Sequence, residues 1–275
     1  MKDLVNKGMG GWPILRDISL VLGKAITIEE KTLGDKGMTQ QTDEPQPIAP
    51  DANPDAGSLR ATTMVNSNHP QIQAFVAEHG KGRDQREQAV ALYYAVRDGF
   101  KYDPYRIDLT VHGMSASTVL EQGFGWCVTK ATLLTAACRA LGIPSRLGFA
   151  DVRNHLSTQR MREMMQTDVF IWHGYSEIWL DGCWRKATPA FNIGLCDKFG
   201  FLPLDFDGVN DSIYHAFDRV GQRHMEYLNY HGSFDDVPLK RMITDFDRVY
   251  KGMVHGQSNL QTADFEADVA KESGR

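Results

Sequence analysis

The chain has 275 residues, 42% of them hydrophobic and 24% charged, with 30 basic and 35 acidic side chains and a formal net charge of −5. That length buries a sizeable core without disulfide or metal staples, and the acidic balance excludes the broad basic footprint of a nucleic-acid binder. The four cysteines, Cys127, Cys138, Cys183 and Cys196, form no CxxC pair, so neither a disulfide framework nor a structural zinc site is expected, and a reducing compartment such as the cytoplasm fits.

At the N-terminus a lysine-bearing start precedes some apolar residues, but Arg16 and Asp17 interrupt the run and no small-residue cleavage site follows cleanly. A signal peptide is therefore not expected. No stretch approaches about 18 uninterrupted apolar residues, so no membrane span is expected. Ile14, Leu15, Ile18, Val21 and Leu22 stand at roughly helical spacing and read either as a short amphipathic helix or as a loosely ordered tail. Residues 37–57 are rich in Pro, Asp, Gln and Thr and nearly devoid of large apolar side chains. Such a segment cannot offset its ordering entropy and reads as a disordered linker. The expected organisation is an N-terminal segment over 1–58, a main folded domain over 59–255 and a frayed tail over 256–275.

Within the domain, residues 69–79 read as a helix opened by Pro70. Asp84 is an N-cap with Glu87 three residues on, in capping-box position. Behind it Ala89, Leu92, Tyr93, Val96 and Phe100 share one helical face. A loop leads to a short helix capped by Ser115 or Ser117 and closed by Gly123 in the left-handed conformation. The helix after Cys127 is apolar nearly all round and stops at Gly142-Ile143-Pro144, which predicts a central, buried helix. From Ser145 the pattern turns to strands: "SRLGFADVR", then "VFIWHGYSEIWL" ending at the hairpin signal Asp181-Gly182, then the returning "CWRKATPAF". The remainder up to residue 253 reads as loop plus helices. No internal repeat is present.

Cys127 stands at a helix start, where unpaired amides and the helix dipole favour thiolate and can hold an oxyanion. Gly125 permits a close, sharp turn before it. A buried inert thiol, the reading given to Cys138, competes with this. His173 follows 46 residues later, in mid-strand, where an imidazole is uncommon. A helix N-terminus facing an antiparallel strand is a sound scaffold for a Cys–His pair. Trp126 is a candidate wall of an acyl pocket, with packing an equal alternative. Glu177, two residues beyond Tyr175, could reach a substrate or Lys130, though a solvated strand position is the plainer reading. His231, Asp235 and Asp236, with His224 upstream, match no common ligand spacing and read as solvated loop. "LDFDGVND" lacks the closing glutamate of a calcium loop. No metal site or cofactor is expected.

The ordered run Gly125-Trp126-Cys127, then Arg139-Ala140-Leu141-Gly142-Ile143-Pro144-Ser145-Arg146, then His173 with Tyr175 and Glu177, then Trp184, resembles the transglutaminase-like superfamily of papain-like cysteine enzymes over roughly residues 64–206. The resemblance implies an α+β, papain-like/transglutaminase-like core with the cysteine helix packed on an antiparallel sheet. It implies Cys127 as nucleophile on a carboxamide or peptide carbonyl of a protein or peptide substrate. His173 would be the base, and a thioester would pass to water (a cysteine protease-type hydrolase) or to an amine (an acyltransferase). Thr188 stands where the family has aspartate. It would be a weaker third catalytic member, or Asn192, Asp205 or Asp207 would approach from the next loop, or the site would have lost catalysis and become a peptide-binding module. Trp126, Glu177 and Asn192 are the substrate-binding candidates. Oligomeric state is not read from the sequence.

Overall fold

The antiparallel sheet foreseen from Ser145 onward forms, and it gains a strand that the sequence did not announce. The computed structural model describes residues 44–154, 157–213, 225–250 and 262–272. All lie in the second of the chain's two units, Asp43–Arg275, the first being Met1–Thr42. The amphipathic stretch at 14–22 and His224 lie outside the described residues.

Helices α1 (Pro70–His79) and α2 (Gln85–Gly99) start where the caps predict, with the Asp84 carboxylate accepting the Glu87 amide at 2.9 Å. Glu87 does not close the box, because its carboxylate accepts the amide of Arg83 instead. A two-residue parallel pair, β1 (Lys101–Tyr102) with β2 (Phe124–Gly125), brackets α3 (Ala116–Gln122), which ends on Gly123 at φ 75°. Then comes α4 (Cys127–Ala140), buried at every position from Cys127 to Arg139. Sheet strands β3 (Ser145–Asn154), β4 (Val169–Leu180), β5 (Cys183–Ala187) and β6 (Met225–Phe234) lie in the order β5-β4-β3-β6, all antiparallel. Asp181 and Gly182 both take positive φ, 52° and 84°, as a two-residue hairpin turn requires. Helices α5 (Gln159–Met165), α6 (Ile193–Phe199), α7 (Leu239–Val249) and α8 (Phe265–Glu272) complete the fold.

One face of the sheet packs on α4 through buried hydroxyls as well as apolar side chains. Thr135 Oγ1 donates to Ser176 Oγ at 3.0 Å, Ser176 Oγ donates to Ala131 O at 2.9 Å, and Ser145 Oγ donates to Thr135 O at 3.0 Å. Each such bond contributes about 1 kcal/mol net, and more is lost if one partner is left alone. The helix is thereby fixed in height on the sheet, which sets where its N-terminus falls.

Three expectations change. The strand β6 falls where a loop and helices were foreseen. It carries two extra residues, Leu228 and His231, relative to β3, and these bulges erase the period-2 pattern that marks a strand. Residues 44–57 do not behave as a linker. Ile48 bridges to Ser233, the Arg146 guanidinium donates to the carbonyls of Ala49 and Pro50 at 3.2 and 2.7 Å, and Trp184 Nε1 donates to Ala52 O at 2.7 Å. Captured carbonyls, not apolar burial, order this segment. Within 256–275 the frayed tail gives way at α8, whose Phe265 and Val269 are buried and whose Asp268 accepts the Tyr105 hydroxyl at 2.9 Å.

A second kind of bulge lies in β4. Between the pairs Ala150↔His173 and Val152↔Phe170, β4 places two residues opposite the single Asp151. One of them, Trp172, has φ 59°, a conformation that costs a bulky L-residue about 1–2 kcal/mol.

Candidate active site

The Cys127 position is built by three close approaches. A Cβ on Gly125 would lie 2.7 Å from Thr129 Oγ1 and 3.1 Å from Lys130 Cγ, so only glycine lets the chain fold back onto the first turn of α4. Thr129 Oγ1 uses that closeness to accept the Trp126 amide at 3.0 Å. Beneath the turn, the Lys130 ammonium is fully buried and donates to the carbonyls of Arg97, Phe100 and Ala190 at 2.8, 2.7 and 2.8 Å. Three carbonyls take all three ammonium protons, although burial pulls its pKa down to about 7. Across the sheet, a Cβ on Gly174 would sit 2.8 Å from Val128 Cα. The strand carrying His173 thus touches the helix backbone at the residue after Cys127.

Cys127 and His173 line one cavity of about 40 Å³, together with Trp126, Met161, Phe170 and Phe246. That volume is an order below a typical ligand pocket, so the pair is enclosed; each is only 6% exposed. The backbone amides of Gly174, Val128 and Cys127 itself act on the sulfur and favour thiolate, but burial outweighs them and raises the thiol to about 11. This corrects the expectation of a thiolate at the helix start: the dipole and amides are present, and desolvation wins. Burial alone lowers His173 to about 4. At neutral pH the pair therefore rests as thiol and neutral imidazole.

His173 Nε2 is buried without a hydrogen-bond partner, while the Thr188 side chain lies against the Tyr227 hydroxyl rather than the imidazole. Thr188 is also held through its backbone, its amide donating to Ser212 O at 2.9 Å and its carbonyl accepting the Tyr93 hydroxyl at 3.2 Å. It does not engage the imidazole. Nor do the alternatives. Asn192 Oδ1 accepts the Tyr102 amide at 3.1 Å, Asp205 pairs with Arg97 at 3.2 Å, and Asp207 caps the amides of Val209 and Asn210 at 2.8 and 2.7 Å. Against His173 lies Tyr227 of β6, edge-on with ring centroids 6.1 Å apart, its hydroxyl donating to Ile213 O at 2.6 Å.

Of the substrate-binding candidates, Trp126 lines the cavity. Glu177 does not. It is 4% exposed and accepts from Arg146 Nε at 2.6 Å and Ser233 Oγ at 2.8 Å, so it neither reaches Lys130 nor sits in water. Asn192 supports cavity-lining Tyr102 from behind. His231 is half-buried on β6 rather than in a solvated loop, its Nε2 2.6 Å from Asp151 Oδ1. Asp236 accepts the amides of Met64 and Val65. Sequence reasoning passed over Gly174, Trp172 and Tyr227. A glycine inside a β-branched and aromatic strand was the available signal for the first; the other two depend on pairing with β6.

A cysteine at the start of a buried helix, facing a histidine strand of an antiparallel sheet, defines an α+β protein with the arrangement of cysteine-based enzymes. Residues 73–189 match the family model of the Transglutaminase-like superfamily. The match runs from α1 to Pro189, just past Thr188. Among solved structures, the chain is similar to a candidate cysteine protease from Cytophaga hutchinsonii, at 16% identity and a TM-score of 0.38, covering 63% of this chain and 53% of that one. It is similar to a candidate protease from Parabacteroides distasonis at 16% identity and a TM-score of 0.32, covering 46% and 26%. It is also similar to the transglutaminase of red sea bream at 18% identity and a TM-score of 0.30, covering 69% and 37%. The chain thus spans about half or less of the length of these structures. A comparison with curated proteins found no match.

Proposed function

We propose that the protein carries out cysteine-dependent chemistry on an amide bond, with Cys127 as nucleophile and His173 as base. The observation that carries this reading is the shared cavity: two residues from distant parts of the chain line one small space, with the amides of Val128 and Gly174 at the sulfur. In the reaction the Cys127 sulfur bonds to the substrate's carbonyl carbon while its proton passes to His173. The carbonyl oxygen takes the negative charge beside the helix-start amides. Collapse of this intermediate breaks the C–N bond, and His173 returns the proton to the departing amine. Water or a second amine then releases the acyl group from the thioester.

The lining also bears on the substrate. Met161, Met165, Phe170, Ile171 and Phe246 surround the pair, and no charged side chain joins them, which favours a protein or peptide whose group next to the reacting carbonyl is apolar. All four cysteines are free, which supports a reducing, cytoplasmic setting. Among the described residues no helix is long and apolar enough to cross a membrane.

A second reading draws on one observation: with no partner on His173 Nε2, the fold could serve as a peptide-binding module without catalysis. Iodoacetamide at neutral pH separates the two. Half-exposed Cys183 is first replaced by Ser to remove background labelling. Cys127→Ala then abolishes labelling while Cys138→Ala and Cys196→Ala do not, since those two thiols are buried and neither lines the cavity that holds His173. Equal labelling in all three variants defeats the catalytic reading.

A further inference from the structure

His173 Nε2 makes no hydrogen bond among the described residues, so that nitrogen does not orient the ring, which rests on its backbone and on the Tyr227 ring packed against it. The residue before it, Trp172, holds the left-handed conformation that a bulge normally assigns to glycine. A tryptophan stays there only if its surroundings hold it, and they do. Asp151 Oδ1 accepts the Trp172 amide at 3.1 Å and lies 2.6 Å from His231 Nε2. The His231 ring stacks on the Trp172 ring, 4.1 Å between centroids and 7° from parallel. Asp245 accepts the indole N–H at 2.9 Å, and Asn229 donates to the other Asp151 oxygen at 3.3 Å. His231 is itself the extra residue of a bulge in β6, between the pairs Phe149↔Gly232 and Ala150↔Tyr230. Bulges in the strands on either side of β3 therefore converge on one carboxylate.

We propose that Asp151 and His231 form a positioning pair for His173, acting through the left-handed Trp172. Side chains alternate strictly along a strand, so removing a one-residue bulge turns every later side chain to the opposite face. With the bulge kept, His173 falls in register with Ala150 and its ring meets the cavity of Cys127. Without it, Phe170 and His173 could not both keep their present faces of the sheet. The pair thus does through the backbone what a carboxylate hydrogen-bonded to the imidazole would do directly. Neither Asp151 nor His231 lines that cavity, and their side chains are 17% and 18% exposed, so both can be replaced without opening the core.

This inference rests on the reading of His173 as base, and the experiment keeps the two apart. Iodoacetamide alkylation of Cys127 is followed by mass spectrometry with Cys183 replaced by Ser, alongside the ¹⁵N shifts of the His173 ring. Asp151→Ala is expected to slow alkylation by about tenfold or more, because a misplacement near 1 Å suffices for such losses, and to shift the His173 ring signals. Asp151→Asn retains an oxygen that accepts the Trp172 amide and is expected to restore most of the rate. A folded Asp151→Ala protein with the wild-type rate and unchanged His173 signals overturns the proposal. If Asp151→Ala does not fold, His231→Gln decides: a slower rate with shifted signals supports the pair, and no change in either overturns it. The reading of the base itself fails on a different result, a His173→Phe protein that alkylates as fast as wild type.

Discussion

Gly174 is the contact on which the site's geometry turns, and Gly174→Ala tests it. The added Cβ would lie 2.8 Å from Val128 Cα, 3.0 Å from Val128 Cγ2 and 3.3 Å from Val128 Cβ. Carbon atoms rest at about 3.5–4.0 Å, so the strand and the first turn of α4 must part by roughly 0.7–1 Å. Two of the three neighbours belong to the rigid part of a β-branched residue in a helix, so no flexible side-chain end is available to swing aside. Overpacking of this kind costs about 1–3 kcal/mol, which in a chain of this size lowers the melting temperature by roughly 2–5 °C. The chemical effect should be larger. The same movement withdraws the Gly174 amide from the sulfur and His173 from Cys127, and a shift near 1 Å can cost about a hundredfold in rate. Calorimetry and the rate of Cys127 alkylation, measured on one preparation, give both numbers. An unchanged melting temperature together with an unchanged rate would refute the close contact and the geometry built on it.

Two further outcomes follow from burial. His173 titrates at about 4 in the fold against 6.5 unfolded, so between those values the unfolded chain binds the extra proton and stability falls as the pH falls. The loss amounts to about 3 kcal/mol across the window and is complete below the folded value; denaturant titrations from pH 7 to 4 should show a shallower slope in His173→Phe, and an identical slope contradicts the assignment. Glu177→Ala strands the buried Arg146 guanidinium, which keeps only its carbonyl partners and the face of Trp184. The expected loss is about 3 kcal/mol of stability with the alkylation rate of Cys127 unchanged per folded molecule, whereas a slowed rate at full stability would return Glu177 to the site.

Much of this was legible in local chemistry. The apolar ring of residues from Cys127 to Arg139 announced the central helix, Asp181-Gly182 the hairpin, and Gly123 the turn before the nucleophile, because each depends on a property of a few adjacent residues. What escaped depends on partners distant in sequence. Nothing near Met225 indicates that its strand lies beside β3, since the bulges at Leu228 and His231 break its alternation. Residues 44–57 look disordered by composition, yet carbonyls of Ala49, Pro50 and Ala52 are gripped by Arg146 and Trp184. Glu177 looked like a solvated strand position because its partner, Arg146, stands 31 residues earlier.

Thr188 looked like the weak point of the site, and the structure changes what its presence means. A carboxylate hydrogen-bonded to His173 would favour the imidazolium and raise its pKa, and in so enclosed a cavity it would set a fixed charge beside the thiol. With a hydroxyl there, burial acts on His173 unopposed and holds it near 4, just as burial holds Cys127 near 11. The pair is then uncharged at rest across the pH range between those values, and the apolar cavity has no ion to bury at rest. In the proposed reaction charge would develop only with attack on a carbonyl, where the amides of Cys127, Val128 and Gly174 already face the sulfur. Orientation, the other service of a third residue, then falls to the backbone. That places the burden on Trp172, whose left-handed φ has no local cause in its own side chain and is explained by Asp151, His231 and Asp245 around it.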